Sequence, residues 1–198
     1  MKIVSIWNPK GGQGKSMISL NLAAAAFDLG LKPVVICQDK QGTSTLFYQD
    51  GELPFVVLSE LPSQSPDADL VIIDHQANDW EIPTPKLLLM PVQPERSQYA
   101  TYADAYKKAK ADGKRIITVV TNGNRSRRQE KDTVLALLQR GAFEVRSSGV
   151  FSRAASRYRT IFDRSLDTAY KINDRRQEFK AILAAVLQEE IKEDVAAA

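Results

Sequence analysis

The stretch Asn8-Pro9-Lys10-Gly11-Gly12-Gln13-Gly14-Lys15-Ser16 follows the apolar run Ile3-Val4-Ser5-Ile6-Trp7 and holds two lysines five positions apart. Gly11, Gly12 and Gly14 let the backbone curl until several N–H groups point at one spot, and a helix starting at Ser16 would add its positive end. That geometry suits a phosphate chain. Against the pattern G-x-x-x-x-G-K-[ST], Pro9 replaces the first glycine and the rest fits. Lys15 would then reach the β- and γ-phosphates of a nucleotide, and the Ser16 hydroxyl would ligate Mg²⁺. The expected nucleotide-binding set is Gly11, Gly12, Gln13, Gly14, Lys15, Ser16 and Met17. One lysine is enough to hold a triphosphate, so Lys10 needs a separate explanation.

Leu70-Val71-Ile72-Ile73-Asp74 is four apolar residues followed by an acid. A carboxylate at the end of such a strand can hold Mg²⁺ through a bound water, which makes Asp74 the second metal candidate beside Ser16. His75 is the only histidine, too few for a conventional zinc site, and it reads as a solvated turn residue, with contact to a γ-phosphate or a partner subunit as the alternative. Cys37 is the only cysteine. It excludes a disulfide framework and a Cys-based metal cluster within one chain, fits a reducing cytoplasm, and reads as a small strand residue without chemistry.

These residues need a scaffold. Lys2–Trp7, Pro33–Cys37, Phe55–Leu58, Leu70–Ile73, Leu87–Pro91, Arg115–Thr121 and Phe143–Val150 read as strands, most of them continuously apolar and therefore covered on both faces. Helical patterns span Ser16–Leu29, Tyr99–Ala111 and Arg127–Arg140, each followed by a glycine suited to a left-handed cap: Gly30, Gly113 and Gly141. A last helix runs from Asp174 to about Lys192 with Asn173 or Asp174 as N-cap. Ser59–Asp69 is too polar and too interrupted by proline to form a crossover helix. The expected fold class is α/β: a doubly wound, mainly parallel sheet with helices on both faces.

The 198 residues, 43% hydrophobic and 26% charged, suit a single domain with a fraying tail at about 193–198. No run is long enough to cross a bilayer and the N-terminus enters a strand pattern directly, so a soluble, cytoplasmic protein is expected. Residues 1–100 hold 7 Lys or Arg against 11 Asp or Glu, whereas residues 101–198 hold 20 against 13. The basic half suggests a surface that meets a polyanion.

The form K-G-G-x-G-K-[ST], with a lysine just before the paired glycines, resembles the deviant Walker A box of the ParA/MinD family of P-loop ATPases. It is closest to the small ParA-type plasmid-partition proteins that lack an N-terminal DNA-binding domain. The resemblance extends over about residues 1–187 and implies ATP and Mg²⁺ as cofactors. It implies that Lys10 reaches across a homodimer to the phosphates in the partner's site, and it gives the hydrolytic roles to Lys10, Lys15 and Asp39. "VVICQDKQ" resembles the family's first switch, usually Asp-x-Asp-Pro-Gln. Asp39 and Gln41 match, while Cys37 replaces the first aspartate and Lys40 the proline. In that family the second aspartate orients the attacking water, a job a carboxylate near the γ-phosphate can do because phosphoryl transfer asks mainly for positioning and charge neutralisation. The two departures bear on rate, so a slow ATPase is expected. Pro91 and Pro94 resemble the family's P-V-x-P loop near the dimer face, and Asn122 stands where an asparagine hydrogen-bonds the adenine edge.

Arg153–Lys180 carries eight basic residues against four acidic ones. Arg153, Arg157 and Arg164 recur near helical spacing, and Arg159, Lys171, Arg175 and Arg176 complete the expected DNA-binding set. Such contacts give affinity without sequence readout. Arg125, Arg127 and Arg128 form a second cluster. The resemblance implies an ATP-dependent dimer that binds nonspecific DNA, associates with the nucleoid, and positions a plasmid or other cargo until a centromere-binding or adaptor protein stimulates hydrolysis. A membrane-associated MinD-like role is disfavoured because Glu189, Glu190, Glu193 and Asp194 would be repelled by an anionic bilayer. The rival from another class is an ATP-dependent carboxylase-type synthetase, which needs a second, substrate-orienting polar pocket that the sequence does not display.

Overall fold

The computed structural model describes residues 1–39 and 43–188. Lys40, Gln41 and the acidic tail residues from Glu189 onward lie outside the described residues. The apolar runs form β1 (Lys2–Ile6), β2 (Pro33–Cys37), β3 (Val56–Leu58), β4 (Leu70–Asp74), β5 (Leu87–Val92), β6 (Arg115–Thr121) and β7 (Phe143–Val145). They lie in one parallel sheet in the order β3-β2-β4-β1-β5-β6-β7. Every residue of β2, β4 and β5 is buried, as strands covered on both faces require.

The helices are α1 (Lys15–Asp28), α2 (Thr43–Asp50), α3 (Arg96–Ala111), α4 (Arg128–Gln139), α5 (Gly149–Ala155) and α6 (Ile172–Leu187). On one face α1 packs with Val4, Ile6, Ile72 and Leu89 of the sheet, and α6 adds Phe179, Ile182, Leu183 and Val186 to the same core. Contact with both the sheet and α6 explains why α1 is apolar almost all round, with Leu22 through Ala26 buried. On the other face Tyr102, Ala105 and Ala109 of α3 and Val134 and Leu137 of α4 cover Trp7, Leu88, Met90 and Val120.

Helix-ending Gly30, Gly113 and Gly141 all have positive φ, as expected. Ser59–Asp69 forms no helix, also as expected. Four readings change. The strand expected over Phe143–Val150 stops at Val145, because Ser148 accepts the Val150 N–H at 3.4 Å and starts α5. Helix α6 begins at Ile172 behind a left-handed Lys171, so neither Asn173 nor Asp174 is its N-cap. Helix α3 starts three residues early because Glu95 accepts the Ser97 N–H at 3.2 Å. Helix α2 had no counterpart in the sequence reading.

Phe179 is fully buried and meets Phe151 edge-on at 6.2 Å, joining α6 to α5. Phe179→Ala should lower unfolding free energy by about 3–5 kcal/mol in urea titrations. A change under about 1 kcal/mol would show that α6 is not part of the cooperative core.

Candidate nucleotide-binding site

The nine-residue loop leaves the C-terminal end of the central strand β1. Asn8 is buried and pins the loop's start: its Nδ2 donates to Pro91 O at 2.7 Å and its Oδ1 accepts the Lys10 N–H at 2.9 Å. The second bond is an Asx turn, a signal the sequence contained. Gly14, at φ 86°, turns the chain into α1, a conformation a side chain would strain. Gln13 is also buried and acts as a clamp. Its Oε1 accepts the Gln93 N–H at 2.9 Å, its Nε2 donates to Gln98 Oε1, and its backbone oxygen accepts from Thr121 Oγ1 at 3.0 Å. Gln93 Nε2 returns a bond to Gly12 O. The Gln13 side chain therefore ties the loop to the segment between β5 and α3. Gln93 and Gln98 were not singled out in the sequence, where only the flanking prolines drew notice; of these, Pro91 lies in β5, as the strand expected over Leu87–Pro91 has it.

Lys15 is buried and turns back on the loop, donating to Asn8 O at 3.0 Å and Lys10 O at 3.4 Å. Desolvation lowers its pKa, opposed by the charges of Asp74, Asp39 and Asp79. Lys15 therefore feels the charges of both Asp39 and Asp74. Asp74 has no exposed surface, and burial raises its pKa against the stabilising effects of Ser44, Ser16 and Lys15. Strand register sets Asp74 opposite Ile6 on β1 and Cys37 on β2. An aspartate at position 37 would have stood beside Asp74, so the buried thiol avoids a second carboxylate there. Lys10 is exposed, and its ammonium has no hydrogen bond or ion pair among the described residues.

A cavity of about 540 Å³ opens beside the loop, lined by Gln13, Gly14, Met17, Asn122, Ser147 and Phe151 among others. Asn122 sits at the end of β6 with φ 50°, and Ser147 Oγ donates to its Oδ1 at 3.2 Å. The cavity is continuous with the loop through Gln13 and Gly14, and its size and mixed lining suit a nucleoside.

His75 is not solvated. It is buried on the sheet, with Nε2 3.1 Å from Ser5 Oγ and with Nδ1 lacking a hydrogen-bond partner. Burial lowers its pKa to about 4. The basic candidates divide. Arg153, Arg157, Arg164 and Lys171 are exposed, and none has an ion pair among the described residues. Arg159 is paired with Glu52 and Asp163, and Arg176 with Asp167. Arg175 is 5% exposed, bonded to Glu178 and Arg146 O, and cannot reach a polyanion from there. Helix α5 ends at Ala155, so Arg153, Arg157 and Arg164 do not line one helix. In the second cluster Arg125 pairs with Glu144 and Arg127 with Glu130.

Residues 4–160 match the profile of the CobQ/CobB/MinD/ParA nucleotide-binding domain. The chain belongs to this family. No curated protein matches it in sequence. Its fold is shared with a Borrelia burgdorferi B31 protein assigned to plasmid partition and bound to AMPPNP (TM-score 0.69, 13% identity, 93% of this chain and 98% of that one). It is also shared with a single-substitution variant of Cyanothece McdA in complex with ATP (0.68, 12%, 96% and 98%). A third relative is the septum site-determining protein MinD of Pyrococcus horikoshii OT3 with Mg-ADP (0.66, 14%, 94% and 96%).

The residues present fit a magnesium ion bound with nucleotide. Among the described residues no cluster of three or more His, Cys, Asp or Glu forms a metal cage. Among the described residues Asp74 Oδ1 is buried without a hydrogen-bond partner, and Ser16 stands beside the carboxylate. One carboxylate, one hydroxyl and phosphate oxygens match magnesium's habit of keeping most of its waters.

Because unfolded His75 takes up a proton near pH 6.5 and the folded imidazole resists until about pH 4, the unfolded state binds more protons between these values. Stability should fall as pH drops through that window, by on the order of 2–3 kcal/mol from this group. Urea unfolding of wild type and His75→Gln at pH 7 and pH 4.5 checks this. The difference between them isolates the imidazole from Asp74, whose raised pKa acts with opposite sign. Equal pH dependence in both proteins would contradict it.

Proposed function

We propose that this chain, as one ParA-like ATPase domain, is an ATP-dependent dimerisation switch. It binds nonspecific DNA as a homodimer around ATP and Mg²⁺ and positions a plasmid or other cargo. Hydrolysis to ADP and phosphate, stimulated by a centromere-binding or adaptor protein, resets it in the cytoplasm. The observation that carries the reading is the contrast between its two loop lysines. Lys15 is buried and bonded within its own loop, whereas the Lys10 ammonium, at the same turn, is exposed with no hydrogen bond or ion pair among the described residues.

The chain's own groups divide the work. Backbone N–H groups of the loop and the start of α1 cradle the phosphates. Lys15 exchanges two carbonyl oxygens for β- and γ-phosphate oxygens, and Lys10 supplies its charge to the partner's triphosphate. Asn122, with its Oδ1 engaged by Ser147, offers its amide N–H groups to an acceptor on the adenine edge. Ser16, and Asp74 through a bound water, would hold magnesium, which would neutralise charge on the phosphates. Asp39 orients a water for in-line attack on the γ-phosphorus as the bond to the β-phosphate oxygen breaks. Arg153, Arg157, Arg164 and Lys171 are the side chains available to phosphates of DNA, and Arg175 is withdrawn from the expected set.

Two measurements test the reading. Wild type with ATP should elute as a dimer and shift DNA, while Lys10→Ala should stay monomeric and still bind nucleotide. A Lys10→Ala protein that dimerises and hydrolyses normally would refute the role. Repeating the DNA shift between about 50 and 200 mM salt should give a steep loss of affinity, with a log–log slope smaller by about 2 in Arg153→Ala/Arg157→Ala. No nucleotide-dependent shift would point instead to an enzyme acting on small molecules.

A further inference from the structure

Helix α2 begins four residues after Asp39, and its second residue, Ser44, has no exposed surface. Ser44 Oγ lies 2.7 Å from Asp74 Oδ2, and the hydroxyl donates, because a carboxylate only accepts. The other carboxylate oxygen, Oδ1, is buried and lacks a hydrogen-bond partner among the described residues. Ser16 and Ser19 also stand close enough to favour the carboxylate's charge, but Ser44 makes the bond to Oδ2. Ser19 Oγ donates its proton to Lys15 O at 3.0 Å. Ser16 favours the carboxylate's charge without bonding Oδ1. The Asp74 carboxylate is thus held by one oxygen from a helix 30 positions earlier in the chain, with its second oxygen left available.

We infer that Ser44 is a positioning residue for magnesium: its hydroxyl fixes the rotation of Asp74 so that Oδ1 faces the ion's water, and it ties α2 to the metal carboxylate. The inference rests on the nucleotide reading above. A buried carboxylate without this donor can rotate about its terminal torsion and share either oxygen, which spreads its lone pairs over several directions. With the donor in place only one oxygen is presented. Groups that orient a ligand from behind typically change metal affinity by about 10–100-fold when removed. The segment that carries Ser44 also carries Asp39, five positions before it. Neither the phosphate-loop pattern nor the acid after β4 includes Ser44. Its role depends on a contact between segments that the sequence separates.

The test is binding, not turnover: fluorescence titration of the full chain with the methylanthraniloyl derivative of ADP, with magnesium and with excess EDTA. Wild type should bind more tightly with magnesium. In Ser44→Ala that gain should shrink at least about tenfold while affinity in EDTA stays at the wild-type value, and Ser44→Thr, which keeps the hydroxyl, should restore it. A purely structural role would instead weaken binding equally with and without the metal, and that outcome overturns the inference. So does a Ser44→Ala protein with the full magnesium gain. If Ser44→Ala does not fold, Ser44→Cys, similar in shape but a poor donor, is judged by the same criterion. A wild type that binds no nucleotide under either condition would overturn the nucleotide reading itself and this inference with it, a result distinct from a variant that merely keeps its magnesium response.

Discussion

At the C-terminal ends of β1 and β4 a lysine ammonium and an aspartate carboxylate are both withdrawn from water. Among the described residues Lys15 donates to two carbonyl oxygens, while Asp74 accepts from Ser44 on Oδ2 and has no partner on Oδ1. Burial pushes each toward its neutral form, Lys15 downward and Asp74 upward. Two charges desolvated in this way are seldom a net gain in stability. Such a pair suits a site that receives an anion at the lysine and a cation at the carboxylate. The rest of the fold holds the two groups in place.

The holding is done by strand register and by two short side chains. Parallel pairing of β1 with β4 sets Ile6 against Asp74, so the loop that follows Ile6 and the carboxylate meet. Asn8 fastens the first turn of the loop to β5, and Gln13 fastens its middle to the start of α3. Helix α1 begins inside the loop and is itself packed between the sheet and α6, so its N-terminal N–H groups are directed by the largest core cluster in the molecule. The Lys10 backbone is held by Asn8, but its side chain lies on the exposed side of the same turn.

Much of this was legible in the sequence because central parallel strands and a phosphate loop leave strong local marks. Val34–Ile36 and Leu70–Ile73 are apolar without alternation because both of their faces are covered. What was missed depends on contacts distant in the chain. In α2, Leu46 and Tyr48 are exposed, so the eight residues carry no amphipathic pattern to read. Gly149-Val150-Phe151 continued a β-rich run until a serine cap redirected it. Arg175 and Arg176 are adjacent and chemically equal, yet one is buried and the other reaches Asp167, which spacing alone does not resolve. His75 looked like a turn residue because its partner, Ser5, is 70 positions away on another strand.

The most direct test of the account is calorimetric titration of wild type and Lys15→Ala with magnesium and a non-hydrolysable ATP analogue. If the buried ammonium is waiting for phosphate, the substitution should weaken binding by about ten- to a hundredfold, the worth of a charge-assisted hydrogen bond or two. Equal affinity in the two proteins would contradict the claim that this loop binds the phosphates through Lys15.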